Sequence, residues 1–218
     1  MKLKIIAVVG SIAFYGILPA ADTPPAPSTP PATYSFVATD GAAVADLVQY
    51  GNKAIEQVGA LLISETSREL ASKETSLAVR VLHLKNLELP KPIAGKPTVT
   101  AIKFTSMQVR NPRNNPDDAD QAALNMIHGQ LDEHEAISKL ILQRIEHPGA
   151  AVEWRVYRPI AASKSCLACH GDPGTFRPGV KEALDRYYPE DKATGYYAQE
   201  WRGFIRVSLT EPVALPKK

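Results

Sequence analysis

The chain has 218 residues, with 25 Lys and Arg against 23 Asp and Glu and 44% hydrophobic residues. That content suits a folded domain, and the small net charge of +2 gives no basic field to hold nucleic acid or an acidic membrane surface. Loss of Lys2 and Lys4 with an export segment would leave 23 basic side chains against 23 acidic ones.

Lys2 and Lys4 precede an apolar run from Ile5 to Leu18, which has the form of a signal peptide. The run is short for a spanning helix, which needs roughly 20 apolar residues. Residues 1–21 are therefore expected to be a signal peptide cut near Ala20 or Ala21. An uncleaved anchor is the alternative, because Pro19-Ala20-Ala21 is not a clean Ala-x-Ala site. No cysteine stands just after the run, so a lipoprotein is not expected. Residues 22–38, rich in Pro and Ala, read as a semi-rigid linker; 39–210 read as a single domain and 211–218 as a tail.

Within the domain, Val44, Leu47, Val48, Ile55, Val58, Leu61 and Leu62 recur at helical spacing, predicting a long helix from about Thr39 to Ser64 with Asp40 as its N-cap. A second helix is predicted from near Ser72 through Leu84, ahead of Pro90-Lys91-Pro92. Thr98 to Met107 is rich in β-branched residues and reads as a strand. The run from Arg110 to Asp117 holds two prolines and three asparagines and demands turns, after which Asp117 opens a helix. Ile137 to Ile145 fits either helix or strand. Val152 to Ile160 reads as a strand, Val180 to Tyr188 as a short helix, and Gly203 to Leu209 as a closing strand. Helices first, then strands separated by helices and loops, predict an α+β fold with an antiparallel sheet.

Both cysteines of the chain lie in Cys166-Leu167-Ala168-Cys169-His170, the spacing of a c-type haem attachment site. Cysteines three apart share one side of a helical turn, so both sulfurs reach one porphyrin edge and capture its two vinyl groups as thioethers. His170, next along, is placed to be the proximal iron ligand. Other readings of the spacing are a thioredoxin-like redox pair, a zinc site and a plain disulfide. The first lacks a βαβ unit before Cys166, and the second lacks a nearby fourth ligand. The third remains open to an exported chain.

The order of several runs resembles a known family, the c-type haem-binding domains of PAS-like fold grouped as the domain of unknown function DUF3365. These runs are Thr105-Ser106 leading to Arg110-Asn111-Pro112, Asn115-Pro116-Asp117, Trp154 to Ile160, Cys166 to Gly171, and Trp201-Arg202-Gly203. The resemblance spans roughly Asp40 to Ser208. It implies a PAS-like antiparallel sheet with long N-terminal helices and flanking helices, holding one covalently attached haem c. Some members bring a cysteine from the second helix to the distal side of the iron. This chain departs from them, since both its cysteines belong to the motif.

His83, in that second helix between Leu82 and Leu84, is the expected distal ligand. His128, His134 and His147 are other candidates, as are Met107 and Met126, and an open iron is the remaining option. The haem propionates call for cationic partners, and guanidinium pairs with carboxylate through two parallel hydrogen bonds. Arg110 is the first choice, followed by Arg155 and Arg158. Trp154, Tyr157 and Phe104 read as core or haem-wall aromatics, and Asn111 and Asn114 as turn residues. The expected protein is a periplasmic monohaem c-type cytochrome-like carrier or redox sensor served by a redox partner protein; it is not expected to be an enzyme, with a haem peroxidase the third reading, for which no distal acid-base pair can be assigned. It has no nucleic-acid partner and no membrane contact beyond the export segment. The alternative is a gas or ligand sensor with an open or displaceable distal position.

Overall fold

The computed structural model describes residues 31–71, Ser76, Val79 and 88–212. The expected signal peptide, the first part of the linker, most of the second helix with His83, and the end of the tail lie outside the described residues. Among the described residues, no helix is long and apolar enough to cross a membrane.

The fold is α+β, with a five-stranded antiparallel sheet and helices on both of its faces, the PAS-like arrangement that the resemblance implies. The strands are β1 (Thr33–Val37), β2 (Thr98–Thr105), β3 (Ile141–Glu146), β4 (Glu153–Ala161) and β5 (Trp201–Thr210), in the order β1-β3-β4-β5-β2. The linker expected over 22–38 therefore gives way to structure at Thr33. Thr-Tyr-Ser-Phe-Val contains no proline and alternates side chains, so it pairs with β3 along the sheet edge. Of the segment from Ile137 to Ile145 that fitted either helix or strand, the part from Ile141 onward forms β3.

The first helix, α1 (Ala45–Ala71), starts later and ends later than its apolar spacing predicted. A 3-10 turn at Ala42–Val44 precedes it, with Gly41, not Asp40, in the cap position. Its far end extends because neither Gly nor Pro occurs between Gly59 and Pro90. Helix α2 (Asp118–Asp132) begins where expected, since Asp117 and Asp120 form a reciprocal capping box.

Strand alternation divides the sheet into two unlike faces. Trp154 and Val156 of β4, with Ile205, Val207 and Leu209 of β5, meet Leu47, Ala54, Ile55 and Val58 of α1 in an apolar core. On the opposite face, Tyr157 and Phe204 meet Ala123, Leu124 and Ile127 of α2. That second face also buries charge: Asp120 has 0% exposure and lies within hydrogen-bonding or ion-pairing reach of Lys103, Arg155, Arg206 and Tyr157. At one end of β5, Gly203 has φ 137° and passes so near β2 that a Cβ there would stand 2.3 Å from the Thr105 carbonyl oxygen. This close approach carries the neighbouring Arg202 to Ser106.

Candidate functional site

The cysteine motif leaves the end of β4 and folds into the single helical turn α3 (Leu167–His170), capped by Cys166. The amides of Cys169 and His170 both donate to the Cys166 carbonyl, at 3.2 and 2.9 Å. Both cysteines are free thiols and half-buried. Burial pushes the Cys169 thiol pKa up, against the opposing charge of Arg110, so this sulfur stays protonated. Cys169 also packs beside a small core of Val79, Val180 and Leu184, the last two from α4 (Val180–Tyr187).

His170 is oriented by a backbone group. Its Nδ1 lies 2.7 Å from the Ala193 carbonyl oxygen; a carbonyl only accepts, so Nδ1 carries the proton and Nε2 keeps its lone pair. Burial lowers the His170 pKa to about 3, helped by the positive charges of Arg110 and Arg202. The ring is thus neutral, as a metal-ligating imidazole must be. The Tyr196 amide donates to the His170 carbonyl at 2.9 Å, and the Tyr196 ring meets the imidazole edge-on at 6.5 Å between centroids.

Arg110 lies at the motif, where sequence reasoning put it, but its guanidinium is engaged. Nε pairs with Asp191 at 3.0 Å, and Nη2 donates to the carbonyls of Cys169 and Ala193. It clamps the motif to the 191–193 loop and is not left as a free cation. The other two arginines are drawn away from the motif. Arg155 is buried on the α2 face and bonded to Asp117 at 2.6 Å, Glu153 at 2.7 Å and Asp120 at 3.2 Å. Arg158 faces the opposite way, toward Asn52 and Glu56 of α1. Arg155 and Arg158 are therefore held in pairs within the sheet layers and do not reach the motif as carboxylate partners.

The candidate distal residues separate clearly. His147 bonds Glu153 at 3.2 Å in the turn before β4, a whole strand away from the motif, roughly 25 Å at strand rise. His134 is exposed. His128 pairs with Asp132 at 2.9 Å and, like Met107, lines a cavity of about 590 Å³ beside the motif end of the sheet. Leu131, Pro159, Tyr196 and Arg202 also line it. Phe104 and Trp154 belong to the α1 core and Tyr157 to the α2 core, which answers the question of their role. Asn111 caps the turn by accepting from the Arg113 amide.

Two groups at the site had no clear signal in the sequence. The Ala193 carbonyl orients His170 through a backbone atom that any residue would supply. Arg202 lies just before the strand read from Gly203, and the sequence gives the Trp201-Arg202-Gly203 run no role of its own.

The chain's donor set suits haem: two unpaired thiols on one helical turn, followed by a neutral imidazole with a free Nε2. In comparisons with known proteins, the family model described as Tll0287-like matches residues 49–210, most of the chain. The crystal structure of the cyanobacterial heme-protein Tll0287 aligns with a TM-score of 0.45 and 20% sequence identity, covering 76% of this chain and 94% of that one. No curated protein matches the chain. By the extent of the family match, the chain belongs to the Tll0287-like family.

Proposed function

We propose that this is an exported, periplasmic monohaem c-type protein of PAS-like fold, of the kind grouped as DUF3365, which carries or senses electrons and does not turn over a substrate. One observation carries the reading: a single helical turn presents Cys166 and Cys169 beside His170, whose Nδ1 is already bonded to the Ala193 carbonyl. Membership of the family named for Tll0287, itself a cyanobacterial heme-protein, agrees with it.

Bound here, haem would supply a reversible one-electron change at iron. The chain's part is to hold and tune it. Cys166 and Cys169 would hold it: each thiol would add its S–H across a vinyl double bond, sulfur to one carbon and hydrogen to the other, so attachment would need no external oxidant. His170 offers Nε2 to the iron, and the Ala193 carbonyl raises the basicity of the ring by accepting from Nδ1. Arg110 keeps that carbonyl and the Cys169 carbonyl in register.

His83 is the proposed distal ligand. Val79 is helical and buried against the core that Cys169 joins. His83 follows it by four residues in the sequence, within the second helix that the family resemblance links to the distal ligand. A redox partner protein in the same compartment completes the proposal.

The test is denaturing electrophoresis with peroxidase staining of the full chain, joined to an absorption spectrum. Stain should persist in the wild type and disappear in a Cys166→Ser/Cys169→Ser chain, and His83→Ala should convert a low-spin spectrum to high-spin. A wild type without stain sinks the covalent haem; an unchanged His83→Ala spectrum moves the distal role elsewhere.

A further inference from the structure

We propose that Arg202 is the carboxylate anchor of the site and holds a haem propionate; this rests on the haem reading above. Arg202 is half-buried, and among the described residues its hydrogen bonds all leave through Nη1. They run to Ser106 Oγ at 2.7 Å, the Gln108 carbonyl at 3.1 Å and the Tyr196 hydroxyl at 3.4 Å. All three acceptors are neutral, and among the described residues no carboxylate pairs with the guanidinium. Arg110, Arg155, Arg158 and Arg206, by contrast, each meet a carboxylate. Nε and Nη2 of Arg202 remain for an incoming group, and the side chain lines the large cavity.

Its orientation is fixed. The guanidinium carbon lies 4.8 Å from the centroid of the Tyr196 ring, an arrangement that favours a cation over the ring face. The same ring touches His170, so one tyrosine links the proposed iron ligand to the cation. Burial lowers the Arg202 pKa yet leaves the group charged, which strengthens its attraction for an anion. Asp191 acts on the guanidinium only through space; a half-buried cation whose hydrogen-bond partners are all neutral gains from a directly bonded carboxylate, and two nitrogens in a fixed fork match one bidentately.

The test uses the haem-loaded full chain. With stain retained on denaturing gels, Arg202→Gln should lower the midpoint potential, because an uncompensated propionate favours ferric iron, and should shift the propionate bending band in the resonance Raman spectrum. Arg202→Lys should recover part of the potential shift, and Arg113→Gln, at an exposed turn, should change neither signal. A second measurement leaves position 202 intact: phenylglyoxal should modify Arg202 readily in the haem-free Cys166→Ser/Cys169→Ser chain and poorly in the haem-loaded one. Unchanged potential and Raman band in Arg202→Gln, or equal modification in the two chains, overturns the anchor while the haem reading stands. A saturable shift of the wild-type signals by added acetate would assign the guanidinium to a free carboxylate and overturn the propionate. Loss of stain from the wild type removes both readings together.

Discussion

Asp120 concentrates the electrostatics of the α2 face in one side chain. With 0% exposure it meets Lys103 at 2.8 Å, Arg155 at 3.2 Å, Arg206 at 3.5 Å and the Tyr157 hydroxyl at 3.1 Å. Removing one partner from a buried ionic cluster leaves charge uncompensated and costs about 3–5 kcal/mol. Asp120→Ala should therefore lower the urea midpoint by that amount of stability, while the exposed Asp118→Ala should change it little. At this scale the sequence marks out Cys166, Cys169 and His170 by their spacing, and they share one helical turn and its cap. The placement of Arg155 and Arg158 was less legible, since strand alternation sends positions three apart to opposite faces and each face already holds acidic partners. Composition alone does not say which of several arginines is left unpaired.

Among the elements, α1 lies against the sheet at one particularly close point. Gly51 faces Val156, and a Cβ there would stand 2.5 Å from the valine Cγ2. Gly51→Ala should force the helix from the sheet and cost about 1–3 kcal/mol, as overpacking does, read as a lower Tm with an unchanged far-UV spectrum. A neighbouring exposed change such as Gln57→Ala should be close to neutral. Elements with a clear period were readable: α1 and α2 by helical spacing, β4 and β5 by alternation. Boundaries were less so. The end of α1 exceeds its apolar stripe because good helix formers continue past the last buried residue, Val58. β1 went unread because it follows directly on a Pro/Ala-rich stretch, and its identity comes from pairing with β3, more than a hundred residues away.

The whole molecule should lose stability in acid through its Arg155 cluster. Burial acts to raise the pKa of Asp117 and Glu153, but hydrogen bonds from Arg155 outweigh it and hold both at about 2, below their ordinary 3.8 and 4.5. Folded-state values below the unfolded ones mean stability that is complete above about pH 4.5 and is lost as pH falls toward 2. Glu153 should supply the larger share, since the Asp117 side chain is 48% exposed and screened by solvent. Tm measured from pH 6 to pH 2 should fall across that window, and Arg155→Met should flatten the decline; a flat wild-type profile would contradict the cluster's role. The sheet order has a further consequence, for the sequence of events in time. β5 is flanked by β4 and β2, so the last of the five strands to be made is an interior one. Synthesis delivers a chain N-terminus first, and until β5 arrives the sheet has a gap in its middle and Arg202 has not reached Ser106. The five motif residues thus emerge before β5 completes the sheet, which leaves an interval in which both thiols are more open to modification than in the folded chain, where they are half-buried.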